Sequence, residues 1–534
     1  MKFLFLFSLA LLAAPLGASP APKTLPRATQ TQIENLLRHP QLQNAHVGVA
    51  VVALGKAKSP ADFPAVAYDD KTQPLVFARD AQKRFLPASN FKLFTAAWVL
   101  QQLGPQKTFV TRVLKSQVAA VKPGNWPTAT PYPSIITLFG DGDPSLSSAD
   151  LKALGERVLA ENTGPFIVRA AEGLYPDGAM NGEEGGGRYP EGWTLDDLLW
   201  YYGPPVSALA LNRNQVDVTL VGAATVGDVA AMTTNPAAPF PIFAPVVTVS
   251  ATDPRAGKLK WSRGDATSPL GPTLFVEGFL SPNQRVSQGV AVPDPRGWAQ
   301  GILAGALRDK GAQVVEGEGF FGAKEGVVAA QHASPPLSFL LRRFLKNSDN
   351  LYGEMLLRRA AVGLPEPIPS GQIVSSGAAA RAHGAMLNWL QKSGVPTAGV
   401  RFSDGSGLSR YNLATPISLA RLLGAVEKMK DGGVIYDALP LAGVDGTLRN
   451  RMKGSAAAGN VRAKTGTFAI ANSLSGYVTT RDGQRLAVSI LTNGVESGEL
   501  ARNWQGRVFA TLANADFREI SRKDAKAQRK EERN

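Results

Sequence analysis

Two kinds of hydrophobic pattern alternate along the chain. In TQIENLLRH the apolar Ile33, Leu36 and Leu37 recur at helical spacing, and HVGVAVVAL, residues 46–54, is an unbroken β-branched run that predicts a buried strand. A second helix is predicted from PASNFKLFTAAWVL onward to about Leu103, where Gly104 and Pro105 stop it. Long helical patterns return in PLSFLLRRFLKNSDNLYGEMLLRRAAVG, GAAARAHGAMLNWLQKSG and TPISLARLLGAVEKMK. After them NSLSGYVTT and RLAVSILTNG read as two strands joined by a turn through Asp482 and Gly483.

The middle has a different texture. From about Phe109 to Val327, short strand-like runs such as SIITLFG, QVDVTLVG and APVVTVSA alternate with Gly and Pro turns. Helices flanked on both sides by strands, with a β-rich stretch between, predict one α+β domain split by an insertion. The expected divisions are 25–112 and 328–514 for the split domain, 113–327 for the insertion and 515–534 for a charged tail.

Composition sets outer bounds. The 534 residues are 44% hydrophobic and 19% charged, enough for two or three domains with real cores. The opening MKFLFLFSLALLAAPLGASPAPK places Lys2 before an apolar run from Phe3 to Leu16 and small residues at Gly17, Ala18 and Ser19, the layout of a secretory signal over residues 1–19. That run is shorter than the ~20 residues a permanent span needs, so an exported protein of the periplasm or cell-wall space, without a stable membrane span, is expected. An uncleaved N-terminal anchor is the alternative, because Pro20 and Pro22 blur the cleavage point.

With no cysteine, thiol catalysis and thiolate metal sites are excluded. The four histidines, His39, His46, His332 and His383, lack the spacing of a zinc hydrolase, so no metal and no cofactor are expected. A net charge of +14 suits an anionic surface such as a cell-wall polymer, and the absence of an aromatic and basic ladder argues against nucleic acid.

Three small motifs carry chemistry. Ser89 and Lys92 stand three apart at the start of a predicted helix, where free N–H groups favour developing negative charge and the lysine shares the serine's face. Desolvation or a second cation would lower the lysine pKa and make it a base, although serine is also a common helix cap. In KNSDNLYGEMLL, which precedes a helical run, the Ser348 hydroxyl and the Asn350 amide suit proton relay and peptide holding, or simply a polar loop or helix N-cap. In VRAKTGTFAIANSLSGY, Lys464, Thr465 and Thr467 could receive a carboxylate, and Gly466 would let a substrate backbone approach the strand. Each motif is weak alone; their order along one chain is the signature of active-site serine penicilloyl transferases.

These motifs, together with GDGDPSL, GWTLDDLLWYYGPPVSALALNRN, DGSGLSRYN and AKTGTF, resemble the class C low-molecular-mass penicillin-binding proteins, D-alanyl-D-alanine carboxypeptidase/endopeptidases of the penicillin-binding protein 4 type. The likeness runs from about Thr31 to Ala513. It implies a serine β-lactamase/transpeptidase-like domain interrupted by two inserted domains. It further implies Ser89 as nucleophile, Lys92 as its base, Ser348 and Asn350 as relay and holding groups, and Lys464, Thr465 and Thr467 as the carboxylate site. The backbone N–H groups of Ser89 and Thr467 would form the oxyanion hole. Asp197 is implied to meet a free side-chain amine, with Tyr202 as an aromatic wall; Asp196 is adjacent, and an acidic first helical turn is the plainer reading of both. Arg410 is a candidate pocket-lining residue. The implied partners are peptidoglycan stem peptides, with β-lactams as covalent inhibitors. A serine β-lactamase and a non-catalytic wall-binding protein are the competing readings; no E-x-x-L-N-like segment supports the first, and the second has no need of Ser89, Lys92 and Lys464 together.

Overall fold

A computed structural model gives the structure of residues 21–68, 72–117, 133–160, 164–171, 188–264, 271–315, 326–368, 370–373, 375 and 377–518. The expected signal, residues 1–19, and residues 519–534 of the expected tail lie outside the described residues.

One five-stranded antiparallel sheet is built from both ends of the chain, in the order Arg462–Phe468, Ala471–Thr479, Gln484–Asn493, His46–Lys56, Leu75–Arg79. The reason for the unbroken apolar run at 46–54 is visible here, since both faces of the sheet are covered. Val47, Val49, Val51 and Ala53 pack on one side with the helices Arg27–Leu37 and Gly498–Ala513. Ala50, Val52 and Leu54 pack on the other with the helices Lys92–Leu103 and Pro416–Lys428. The Lys92–Leu103 helix is buried at every position from Lys92 to Leu100, as an apolar helix enclosed by others must be. Its neighbours are Leu337–Asn347, Asn350–Ala360, Gly377–Lys392 and Gly432–Ala438. The architecture is α+β, with the larger helical layer against one face of the sheet and two helices against the other.

Three further sheets come from the middle of the chain and share one apolar core. The first orders Val327–Ala333, Val110–Gln117, Ser134–Phe139 and Phe166–Ala171, and the helices Ser148–Leu159 and Pro295–Asp309 belong to the same core. The second joins Arg285–Ala291, Gln215–Val221 and Ala231–Asn235; the third joins Leu259–Arg263, Leu274–Leu280, Ile242–Phe243 and Val246–Thr248.

Three expected divisions need correction. Residues 112/113 and 327/328 both fall inside strands, and those strands pair with each other, Thr111 opposite His332. The sheet therefore starts at Val110 and closes at Ala333, a partnership across more than two hundred residues that local composition does not reveal. The tail likewise starts later than 515: Ala515 and Phe517 are buried in the core beside the Gly498–Ala513 helix. Among the described residues no helix is long and apolar enough to cross a membrane.

Candidate active site

Ser89 sits in a turn of 3-10 helix, Ala88–Phe91, that runs directly into the Lys92–Leu103 helix. Its hydroxyl caps nothing; it lies 3.0 Å from Lys92 Nζ. The preceding Ala88 is held at φ 46°, a left-handed value that a non-glycine residue adopts only under constraint.

Lys92 is fully buried, and its amine also donates to Asn350 Oδ1 at 2.6 Å and to the carbonyl of Ser406. Burial holds its pKa down to about 8, with Asp404, Asp349 and Glu354 pulling the other way. The loop that presents Ser406 is fastened by Asp404, whose carboxylate accepts from Ser406 N and Oγ, Gly407 N, Ser409 N, Asn412 Nδ2 and Trp193 Nε1.

The long pattern around Ser348 is two helices, broken where Ser348 takes φ 59°, ψ 38°. That break turns its hydroxyl toward Lys464, whose Nζ donates to Ser348 Oγ at 2.9 Å. Asp349 then caps the next helix, accepting from Tyr352 N at 3.3 Å, and Asn350 opens it. Lys464 is also fully buried, and burial first, then the charge of Lys92, pushes its pKa well below that of a free lysine.

Lys464 lies on the edge strand Arg462–Phe468, which pairs along its length with Ala471–Thr479 and on its other side only bridges to Leu441 at Arg462. A Cβ at Gly466, which lines the cleft, would collide with Ser473 Oγ and sit 2.7 Å from Pro87 O and 2.9 Å from Ser89 N, so the glycine also lets the protein's own serine turn lie against the strand. Asn90 locks the same junction by donating to Lys464 O at 3.0 Å and Ser473 Oγ at 2.7 Å.

All this opens on a cleft of about 680 Å³, lined by Ser89, Ser348, Asn350, Thr465, Gly466, Thr467, Asp197, Tyr202 and Arg410, with Lys92 and Lys464 buried behind it. The eleven sequence candidates thus converge from segments hundreds of residues apart. Asp197, buried in a short 3-10 turn, accepts from Thr194 N at 3.0 Å and is paired with Arg410, which also lies 4.9 Å from the Phe468 ring centroid. Burial, then the Asp197 charge, raises the Tyr202 hydroxyl pKa. Asp196 is absent from the lining.

Sequence reasoning missed Thr447, whose Oγ1 is 2.8 Å from Thr465 Oγ1, and Arg213, which reaches Asp349 at 2.7 Å. The second had a faint signal, Asn-Arg-Asn between two apolar runs. Among the described residues no three His, Asp or Glu side chains gather as metal ligands would. The histidines do other things: His46 stacks on Phe85, and His383, wholly buried, meets Ser375 Oγ and Asp404 O.

Comparison with known proteins adds the family and the fold. The chain is 32% identical, over 93% of its length and 87% of the relative's, to the D-alanyl-D-alanine carboxypeptidase of Actinomadura sp. (strain R39). It is 27% identical to the D-alanyl-D-alanine carboxypeptidase DacB of Haemophilus influenzae, over 78% of this chain and 82% of that one. The crystal structure of penicillin binding protein 4 from Haemophilus influenzae has the same fold, with a TM-score of 0.69 at 22% identity, covering 90% of this chain and 99% of that one. A family model matches residues 29–515, and with that the chain belongs to the D-Ala-D-Ala carboxypeptidase 3 (S13) family.

Proposed function

We propose that this protein is a serine DD-peptidase of the cell wall, cleaving the D-Ala-D-Ala end of stem peptides, D-Ala cross-links, or both, through an acyl-enzyme on Ser89. The observation that carries this reading is the 3.0 Å contact between Ser89 Oγ and the buried, pKa-lowered Lys92, open to the cleft. Neutral Lys92 takes the hydroxyl proton while Oγ bonds to the carbonyl carbon of the penultimate D-alanine. The C–N bond breaks, and Ser348, linked to Lys464, is placed to hand a proton to the leaving amine. Water then cleaves the ester and frees Ser89. Asn350 holds the peptide, Lys464, Thr465 and Thr467 receive the terminal carboxylate, and the N–H groups of Ser89 and Thr467 polarise the carbonyl. Gly466 serves by letting the strand lie against Ser89. The protein is exported, and the segment 110–333 is an insertion within the catalytic domain.

β-Lactams enter the same chemistry and stop after the first step. Intact-mass measurement should show one penicilloyl adduct on Ser89 that persists for many minutes, and purified muropeptides should lose D-alanine or split. Rapid multiple turnover of penicillin would favour a β-lactamase instead, and no adduct would remove the reading.

Asp197 is assigned to recognise a free side-chain amine, which must compete with Arg410 for the carboxylate. A charge-assisted hydrogen bond contributes roughly 1.5–3 kcal/mol. Asp197→Asn should therefore lower kcat/KM on amine-bearing peptides about tenfold or more and spare simple depsipeptides; equal losses on both would remove the role.

A further inference from the structure

Residues 212–214 form a turn in which three consecutive non-glycine residues have left-handed backbones: Asn212 at φ 46°, Arg213 at φ 62° and Asn214 at φ 52°. Asparagine tolerates this region; arginine has no such preference. The turn is clamped on both sides. Asn212 accepts from Ser148 N at 3.0 Å and donates to Ser148 Oγ at 2.6 Å, while Asn214 accepts from Leu211 N at 2.9 Å and donates to Pro205 O at 2.9 Å. Strain over-determined in this way points to a task for the residue at its centre.

That residue reaches out of its own sheet layer into the cleft. Arg213 Nε donates to Asp349 Oδ2 at 2.7 Å, with the Asp349 side chain 4% exposed and that of Arg213 30% exposed. Asp349 divides its oxygens, Oδ1 accepting from the start of the Asn350–Ala360 helix and Oδ2 from Arg213. On either side of it stand Ser348, bonded to Lys464, and Asn350, bonded to Lys92. The segment 110–333 makes a second contact with this motif through Tyr202 O, which accepts from Asn350 Nδ2 at 2.8 Å.

We propose that Arg213 is a positioning residue for acyl transfer: it holds Asp349, and through Asp349 aims Ser348 and Asn350 at the two buried lysines. The segment 110–333 is on this view part of the catalytic apparatus rather than an appendage. The inference rests on the acyl-enzyme reading above.

Arg213→Gly tests it, because glycine suits the left-handed backbone and removes only the side chain. The rate of penicillin acylation at saturation should fall about 10- to 100-fold, the loss that small misplacements of reacting groups cause, with the half-saturating concentration within about twofold and Tm equal or higher. Arg359→Ala provides the control, since Arg359 joins the same helix at its far end to Asp141 at 3.1 Å without touching the motif; it should acylate at the parental rate. Arg213→Gly acylating within twofold of the parent overturns the proposal. So does an equal loss in Arg359→Ala, or a Tm that drops in step with activity, since either marks the pair as a weld between layers. A parent protein that takes no label removes both this inference and the function it rests on.

Discussion

Ser89→Ala abolishes penicillin labelling and D-alanine release together, by about 10⁴-fold or more, in a protein that stays folded. The expected size follows from what removal of a serine nucleophile costs in an acyl-transfer enzyme. Stability should hardly change, because the Ser89 side chain is half-buried, caps no helix, and gives up one hydrogen bond to Lys92, a net contribution of about 1 kcal/mol. Intact mass after incubation with penicillin reads the label, a D-alanine assay on muropeptides reads turnover, and calorimetry reads the fold. Retention of either activity would place the nucleophile elsewhere in the cleft.

Lys92→Met should slow acylation about 10²- to 10⁴-fold, the span of a general base. Two opposing terms make the stability change small. Lys92 Nζ leaves three acceptors, Ser89 Oγ, Asn350 Oδ1 and the Ser406 carbonyl, without their donor. Against that, methionine removes an amine whose charged form burial opposes, and replacing a buried ionisable group by an apolar one of similar volume is often neutral. The pH profile separates this role from a structural one. The working form is the neutral amine, so the parental rate should climb about tenfold per pH unit below about 8 and level off above it as the proton leaves. Lys92→Met should lose that climb. Because Lys464 lies close enough for the Lys92 charge to depress its pKa, the limb reports the pair of lysines together. A parental rate flat from pH 6 to 9 would remove Lys92 as the base.

How much of this was legible depends on the range of the interaction. Ser89 and Lys92 are one helical turn apart, so their meeting is a consequence of local geometry and of the apolar run that forces the helix to be buried. The strand carrying Lys464 and the helix after Ser348 are likewise written in short patterns. The break at Ser348 was half legible: Ser-Asp-Asn reads as a polar loop or cap, but the apolar periodicity of PLSFLLRRFLKNSDNLYGEMLLRR continues through it, and the left-handed residue separates two helices. Gly466 was legible only in part, since two of the three atoms nearest a side chain there, Pro87 O and Ser89 N, lie far away along the chain.

By itself, then, the amino-acid sequence determined the elements, the buried strand at 46–54, the motif order and the kind of chemistry, because each depends on residues within a few turns of one another. Tertiary structure alone decided that Val110–Gln117 closes on Val327–Ala333, that Asp197 faces Arg410, and that Arg213 crosses to Asp349. Those are pairings of charged or hydrogen-bonding groups brought together by burial of apolar surface elsewhere, and burial is non-directional until the whole chain has packed.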